Sequence, residues 1–592
     1  MERFNYLMLI STNFLLLCAN ASARNHQFRH VVSDRTISFT NCTIEDVKSI
    51  REHNLQPDDV VINQCHVPEL PNALFLRTSA LVSLEITDCH LENVQDYALN
   101  GLNSLQVLNL TRNNISVVKS WSDHDLEAVQ IIDLRRNQLR ELNKNTFRRY
   151  PNLTRLNLAV NLIGVMKENT FRFTPHLKYI NLGKNLITHI DEYTFKGLHK
   201  LTHLSLHHNQ IRYIDFFAFV SNSHLKSLHL QGNELAVFEA ELVANLPRLM
   251  HLNLSHNQLE FLSEGTFKRN LELKVLDLSY NNFTEFSETS FTGLESLEVF
   301  NISHNDIPEL SKYIFREFTA VTHLILASNH LTALENELLE FVPNVRVFNV
   351  SGNEISTIDS DLFDGLKDLA VLDLSRNRLS RLDFLSSIGS PLKVLDLGGN
   401  HYHSLDFAQF VAVDRVIVEG NPWYCSWLIL AMMTKPDSIA LGRDYLVTAT
   451  SHSSEIHHVA GIECVDEENG QNRSVILLRE VDKSFEDESG NFNNWHAQNS
   501  ASSEMGFNQD YLLSNLPSRI DNFDYKAIVL WIIIGVAVVF GVTKVCRVIL
   551  IKSERQSEEL RRAQHEKYMQ ELEEIDDKYM QQQMHEHSIY KP

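Results

Sequence analysis

One short pattern recurs through about two thirds of the chain and constrains its fold more than any other feature. The pattern returns every 24 residues between Cys65 and Asn377. It consists of an apolar residue, any residue, a second apolar residue, two further residues and then asparagine or cysteine. The seventeen units end at Cys42, Cys65, Cys89, Asn113, Asn137, Asn161, Asn185, Asn209, Asn233, Asn257, Asn281, Asn305, Asn329, Asn353, Asn377, Asn400 and Asn421. A register held over more than 300 of the 592 residues argues against four independent domains, which the length alone would suggest.

Each column of the repeat has a physical reading. The two apolar residues are two positions apart, so on a strand both point into the core. The asparagine can bond backbone groups of neighbouring coils, so in register these side chains predict a ladder of hydrogen bonds. Ten residues after the asparagine many units place a phenylalanine, which predicts a buried aromatic spine. These are Phe147, Phe171, Phe195, Phe219, Phe267, Phe291, Phe315 and Phe363.

The pattern resembles the typical 24-residue class of extracellular leucine-rich repeats. The resemblance implies an α/β leucine-rich-repeat solenoid, a horseshoe ectodomain, over residues 42–421. An N-terminal cap would occupy residues 24–41, where Phe28–Val32 and Thr36–Phe39 predict a hairpin.

The cysteines fall into two groups. Cys42, Cys65 and Cys89 occupy ladder positions, which favours three buried thiols. Adjacent rungs lie roughly 5 Å apart, so a bridge between Cys42 and Cys65 stays open.

The segment after the last repeat resembles the C-terminal cap of such ectodomains. It reads Gly420-Asn421-Pro422-Trp423-Tyr424-Cys425-Ser426-Trp427-Leu428, with tryptophan where the family motif has its second cysteine. The resemblance implies a cap over residues 422–465 with one bridge between Cys425 and Cys464.

The two ends predict a single-pass membrane protein of type I at the plasma membrane. Residues 1–23 resemble a cleaved signal peptide, for which a signal anchor is the alternative. Residues 527–551 are apolar and long enough to cross a bilayer, and the basic residues that follow place the C-terminus inside. An acidic flexible stalk would fill residues 466–526.

The predicted cytoplasmic tail, residues 552–592, is too short for a signalling domain. Tyr568, Leu572, Ile575 and Tyr579 form a short helical stripe, so the membrane helix and tail could hold a homodimer. Tyr568 and Tyr579 are candidate phosphorylation sites, with packing residues as the alternative.

Glycosylation sequons narrow the choice of binding surface. They occur at Asn41, Asn109, Asn114, Asn152, Asn253, Asn282, Asn301, Asn349 and Asn472. Four of them, Asn109, Asn253, Asn301 and Asn349, lie between two core residues and should therefore face the concave side. The five rungs ending at Asn137 through Asn233 carry no concave sequon, so we expect the ligand there.

That region has its own chemistry. The candidate ligand-binding residues are Arg135, Arg136, Arg155, Lys184, His203, His207, His229 and His251, with Lys178 nearby. A solvated face is the alternative for the basic residues. Ordinary surface histidines are favoured over a pH switch, and the wide spacing of the rings argues against a metal site.

Composition and motifs restrict the function further. A net charge of −22 and a pI near 5.7 argue against nucleic acid as a partner. The sequence contains no motif of a hydrolase, metalloprotease or phosphate-binding loop, so neither catalysis nor a cofactor is expected.

The domain order, the two-cysteine cap and the short tail resemble insect single-pass leucine-rich-repeat proteins. Both the transmembrane type of mosquito leucine-rich immune proteins and tartan/capricious-type adhesion receptors are similar. The first resemblance implies a receptor for a protein or microbial ligand in innate immunity. The second implies cell adhesion, and a scaffold or decoy that does not signal is a third possibility.

Overall fold

The computed structural model describes most of the predicted repeat region. The described residues are 29–33, 35–52, 57–72, 74–119, 121–406, 410, 413–427, 430, 439–440, 456–459 and 462–465. The chain divides into two units, Met1–Glu486 and Asp487–Pro592, and every described residue belongs to the first. No helix within the described ranges is long and apolar enough to span a bilayer.

One 19-stranded sheet organises the described part of the chain. Its strands are Arg29–Ser33, Thr36–Thr40, Asp59–Asn63, Ser83–Thr87, Val107–Asn109, Ile131–Asp133, Arg155–Asn157, Tyr179–Asn181, His203–Ser205, Ser227–His229, His251–Asn253, Val275–Asp277, Val299–Asn301, His323–Ile325, Val347–Asn349, Val371–Asp373, Leu392–Asp396, Val413–Ile417 and Ile439–Ala440. Every neighbouring pair is parallel except the first, which is the predicted hairpin between Arg29–Ser33 and Thr36–Thr40.

Short elements complete the turns. Parallel two-residue strands pair Glu69–Leu70 with Asn93–Val94, Glu141–Leu142 with Val165–Met166, His189–Ile190 with Tyr213–Ile214, and Ala333–Leu334 with Thr357–Ile358. Ile456–Val459 and Ile462–Val465 form an antiparallel pair. The helices whose two ends both lie in the described part of the chain include Ile44–Glu52, Ala240–Ala244 and the 3-10 turn Asp383–Ser387.

The 24-residue spacing is what brings equivalent residues of successive turns side by side. Leu204 pairs with Ile180 of the preceding turn and with Leu228 of the following turn. All three side chains are fully buried. Each turn therefore buries its apolar pair only against its neighbours, which is the packing of a solenoid.

The predicted asparagine ladder is present. Asn209 Oδ1 accepts the Ile187 amide at 3.1 Å, and its Nδ2 donates to Leu182 O at 3.0 Å and Leu206 O at 2.9 Å. Ile187 and Leu182 belong to the preceding turn, so one side chain satisfies both a donor and an acceptor there. The same three contacts recur at Asn161 and Asn185.

The phenylalanine spine is also present. Phe147, Phe171, Phe195 and Phe219 are buried, and their ring centroids stack at 6.1, 6.0 and 6.1 Å. Stacked aromatic pairs stabilise one another beyond the apolar area that they bury. The spine therefore fills the core on the side of each turn away from the sheet.

The N-terminal cysteines differ from the favoured prediction of three thiols. Cys42 and Cys65 form a disulfide across adjacent rungs, with a Cα–Cα distance of 4.4 Å. Cys89 is a free, buried thiol. Two ladder residues on neighbouring rungs lie within bridging range, so the pair can close and leaves the third cysteine without a partner.

The C-terminal end is closed by aromatic rings. Trp423 and Trp427 stack with ring centroids 4.1 Å apart, and Trp427 Nε1 donates to Leu405 O at 2.7 Å. Tryptophan thus packs where the family motif has its second cysteine. Cys425 is disulfide-bonded, and Cys464 as its partner remains a prediction because only the backbone of Cys464 is described.

The ladder predicts a strong effect of single asparagine substitutions. Asn209→Ala removes one acceptor and one donor and leaves buried backbone groups of two turns unpaired. We expect the free energy of unfolding to fall by about 3 kcal/mol, since each unpaired buried group costs roughly 1–3 kcal/mol. Urea unfolding of the purified protein measures the change. Gln210→Ala, at the exposed neighbouring position, serves as the control, and equal effects of the two substitutions would contradict this role of the ladder.

Candidate functional site

The outward side of the parallel sheet, called the sheet face below, displays three residues from each turn. They lie six, four and two positions before the ladder residue and alternate with buried apolar residues. Asn253, for example, points outward between the buried Leu252 and Leu254. Its side-chain oxygen accepts the amide of Ser255 at 2.9 Å.

The other sequon asparagines of the face adopt the same geometry. The side-chain oxygens of Asn109, Asn301 and Asn349 each accept the amide two residues later, at 2.9–3.2 Å. All three lie between buried residues of their turns, as the alternation predicted. The sheet-face residues of the turns whose ladder residues are Asn137 through Asn233, called the window below, include no such sequon.

The outer column of the face changes its chemistry within the window. Six positions before the ladder residue, six turns outside the window carry valine, whereas those of Cys65, Cys89, Asn329 and Asn421 carry Asp59, Ser83, His323 and Arg415. The valines are Val107, Val275, Val299, Val347, Val371 and Val394. The turns from Asn161 to Asn257 carry Arg155, Tyr179, His203, Ser227 and His251 at that position. A solenoid needs no particular side chain on its outer face, so this change is not explained by the fold.

Three of these residues form a row across adjacent strands. The Arg155 guanidinium lies 5.4 Å from the Tyr179 ring centroid. The Tyr179 and His203 rings are 6.3 Å apart, and Thr202 Oγ1 lies 2.9 Å from His203 Nδ1. An aromatic ring attracts a cation that lies over its face, so this contact helps to fix the position of the Arg155 side chain.

The centre of the window is recessed. His207 is partly buried with Nδ1 2.6 Å from Ser205 Oγ, and its ring covers Gly183 of the preceding turn. A methyl group at Gly183 would lie 2.1 Å from that ring. On the next turn His229 Nε2 lies 2.8 Å from Ser227 Oγ. Both imidazoles are thus held by a serine of their own strand.

Burial lowers the pKa of four histidines on or next to the window. Burial, followed by the charges of His208, His229 and Lys184, lowers the pKa of His207 to about 3. Burial, followed by His251 and His203, lowers the pKa of His229 to about 4. Burial first and neighbouring cations second also lower the pKa values of His203 and His251.

These directions bear on the histidine hypotheses from the sequence. His207 and His229 are partly buried, whereas His251 is exposed, as expected of a surface histidine. A switch between pH 5.5 and 7.5 is also disfavoured, since His207 and His229 stay neutral throughout that range. Within the described residues no three His, Cys, Asp or Glu side chains come together as a metal site.

The remaining predicted site residues lie less centrally. Arg135 is on the sheet face, with Nε 3.2 Å from Asp133 Oδ2. Arg136 and Lys184 directly precede ladder asparagines, and both adopt left-handed backbone with φ of 56° and 55°. They therefore lie at the edge of the sheet. His251 lies on the turn that also carries the sequon Asn253, next to the window.

The residue list from the sequence omitted several parts of the window. Tyr179, Ser205 and Ser227 contact the predicted residues directly, and Gln231 Oε1 is buried without a hydrogen-bond partner. Comparing the residue six positions before each ladder asparagine would have found Tyr179. No sequence signal identifies the buried Gln231 oxygen, because its burial depends on neighbouring turns.

Several predicted features lie outside the described residues. They are the signal peptide 1–23, the stalk 466–526 with Asn472, the membrane helix 527–551 and the tail 552–592 with Tyr568 and Tyr579.

Comparison with known proteins identifies the repeats. The leucine rich repeat family model matches residues 79–139, 151–211, 223–270, 247–307 and 319–379. These segments are therefore leucine-rich repeats, and the fold is that of a leucine-rich-repeat solenoid. No curated protein sequence matches the chain.

Solved structures share this fold. A chain of the glycosylated Toll–Spatzle complex of Drosophila is 20% identical with a TM-score of 0.58, and the match covers 70% of this chain and 62% of that chain. The other form of that complex gives 20% identity and a TM-score of 0.55, covering 72% and 70%. A leucine-rich-repeat protein of Leptospira interrogans gives 22% and 0.51, covering 64% and 89%.

These likenesses extend only to the fold, given identities of 20–22%. The chain spans 62% of the first Toll–Spatzle chain, less than two thirds of its length. They do not show which partner this chain binds or which biological role it has.

The lowered pKa of His207 predicts how stability depends on pH. Between about pH 6.5 and 3, His207 binds a proton in the unfolded state but not in the folded state, so the free energy of unfolding falls as the pH falls. His207→Gln should remove roughly 2 kcal/mol of the loss between pH 7.5 and 5.

Urea midpoints of wild type and variant at the two pH values measure this difference. The matched control is His323→Gln, at an exposed position of the same sheet face. An unchanged pH dependence in His207→Gln would contradict a buried, neutral imidazole.

Proposed function

We propose that the protein is a cell-surface leucine-rich-repeat receptor, acting in innate immunity, that binds a protein or microbial-surface ligand on the window of its sheet face. The observation that carries the proposal is the change of the outer column from valine to Arg155, Tyr179 and His203. All three side chains are half-buried on the sheet face, and surface arginine and aromatic residues without a structural role are typical of recognition surfaces.

The chemistry of the window fits a large ligand with mixed polarity. Tyrosine and arginine are the residue types that contribute most at the centres of protein interfaces. Neutral imidazoles both donate and accept hydrogen bonds, so they suit amide and hydroxyl groups.

Glycan placement favours the same surface. Sequons on the flanking turns would put sugars on the sheet face at Asn109 and Asn253, on either side of the window. The immune role draws on the likeness to a complex described as a hub in development and innate immunity. The cell-surface location draws on the predicted signal and membrane segments.

A single engineered glycan tests the proposal. Ala159→Ser converts Asn157-Leu158-Ala159 into a sequon inside the window. Asn157 Oδ1 already accepts the Ala159 amide at 3.1 Å, the same backbone contact as in the four natural sequons, although Asn157 is buried and they are half-buried. Serine occupies the equivalent position in other turns, such as Ser255 and Ser303, so the fold accommodates it.

The full chain is displayed on cells, and binding of labelled bacteria and of a secreted-protein fraction is measured. We expect Ala159→Ser to lower binding at least about tenfold, because a glycan would cover the recessed histidines. Asp373→Asn, which creates the same sequon outside the window at Asp373-Leu374-Ser375, is the control and should bind like wild type. Undiminished binding by a fully glycosylated Ala159→Ser protein would refute the window as the ligand face.

A further inference from the structure

A second surface, on the segments that follow the ladder residue in each turn, carries charges with no partner in the described chain. Eleven residues after the ladder asparagine, three successive turns place a cation. These are Arg148, Arg172 and Lys196, called the basic column below. All three are exposed, and no described carboxylate pairs with them.

Two aromatic rings contact the three cations of this column. Arg148 and Arg172 lie 5.6 and 4.9 Å from the centroid of the Phe173 ring, and Lys196 Nζ lies 4.8 Å from that of Tyr193. A ring positions a cation without neutralising it. A recess of about 580 Å³ that is lined in part by Lys167 and Arg172 lies beside the column.

The next three turns place carboxylates at the other end of the same segment. Asp215, Glu239 and Glu264 lie six or seven residues after Asn209, Asn233 and Asn257, and are called the acidic column below. None forms an ion pair with another described residue, although the Phe217 amide donates to Asp215. Glu239 begins the helix Ala240–Ala244 without bonding it through its side chain.

Exposed apolar residues lie between the two columns. Phe216, Phe217 and Val220, called the apolar patch, are 43%, 58% and 50% exposed, with Tyr213 at 52% beside them. Four large apolar side chains exposed together on one turn are unusual on a monomer and mark an interaction surface. No sequon lies between residues 153 and 252, so glycans do not cover this patch.

The order of the two columns makes the surface self-complementary. Consider a two-fold axis that is normal to this surface and passes between the turns of Asn185 and Asn209. It places each turn of one copy opposite the turn of the second copy that lies at the same distance on the other side of the axis, with the chain direction reversed. The residue eleven positions after a ladder asparagine in one copy then meets the residue six or seven positions after a ladder asparagine in the other. Lys196 faces the second copy's Asp215, Arg172 faces Glu239, Arg148 faces Glu264, and the apolar patch lies next to the axis. An isologous dimer requires such an arrangement.

We propose that two copies of this chain associate through this surface, by means of the basic column, the acidic column and the apolar patch. The surface spans five turn spacings of about 4.8 Å and six residues along each turn, so each copy would bury about 400–500 Å² in the contact. That is below the ~800 Å² of a standard interface, so the dimer is reversible. This contact is separate from the window and does not depend on the proposed ligand.

Charge reversal in mixed pairs tests the proposal. Full-length chains with two different tags are expressed on the same cells, and co-precipitation is measured in mild detergent. Arg172→Glu and Glu239→Arg alone each place like charges opposite one another twice, so each should lower self-association about tenfold. One Arg172→Glu chain with one Glu239→Arg chain restores attraction at both contacts, and association should return to within about twofold of wild type.

Matched controls separate this surface from general damage. Arg316→Glu reverses a charge at the same repeat position, with the cation 5.8 Å from the Tyr313 ring, but several turns away, and should leave association unchanged. Phe217→Asp should abolish association, whereas Leu271→Asp, at a residue 59% exposed, should not.

Three outcomes overturn the proposal. The first is failure of the mixed pair to recover. The second is wild-type association of all variants, which would assign self-association to other parts of the chain. The third is loss with Arg172→Glu but not with Glu239→Arg, which would indicate an acidic ligand such as a sulfated glycan on the basic column.

Discussion

The hydrogen bonds of the ladder asparagines are the interaction on which the rest of the structure depends. Each turn of the solenoid ends its strand and bends, which leaves backbone groups buried without partners. One asparagine per turn satisfies a donor and an acceptor of the turn before it, as Asn209 does for Ile187 and Leu182. Because the bonds run between turns, the ladder also fixes the register at 24 residues.

Because of that register, different positions of the repeat have different roles. Leucines, the ladder and the phenylalanine spine hold neighbouring turns together, and they leave the sheet face and the outer segments free to vary. Variation on the sheet face gives the row of Arg155, Tyr179 and His203. Variation on the outer segments gives the two charged columns. Both proposals use positions that the fold does not need.

The sequence predicts those features that repeat. Strands, ladder, spine and the outward direction of Asn253 follow from the period, because one turn determines the geometry of the next. The Cys42–Cys65 disulfide did not follow, since three cysteines at equivalent positions allow either thiols or a bridge. The low pKa values of His207 and His229 did not follow either, because burial arises from adjacent turns that are 24 residues apart in sequence.

We propose that the ladder stabilises the fold and that the window binds the ligand. The most direct measurement replaces Arg155, Tyr179 and His203 together by valine, the residue that six turns outside the window have at that position. The free energy of unfolding in urea and the ligand binding of the full chain are then compared with wild type. The account predicts a free energy of unfolding within about 1 kcal/mol of wild type and binding of bacteria or secreted proteins reduced at least about tenfold. Undiminished binding by a folded triple variant would contradict it.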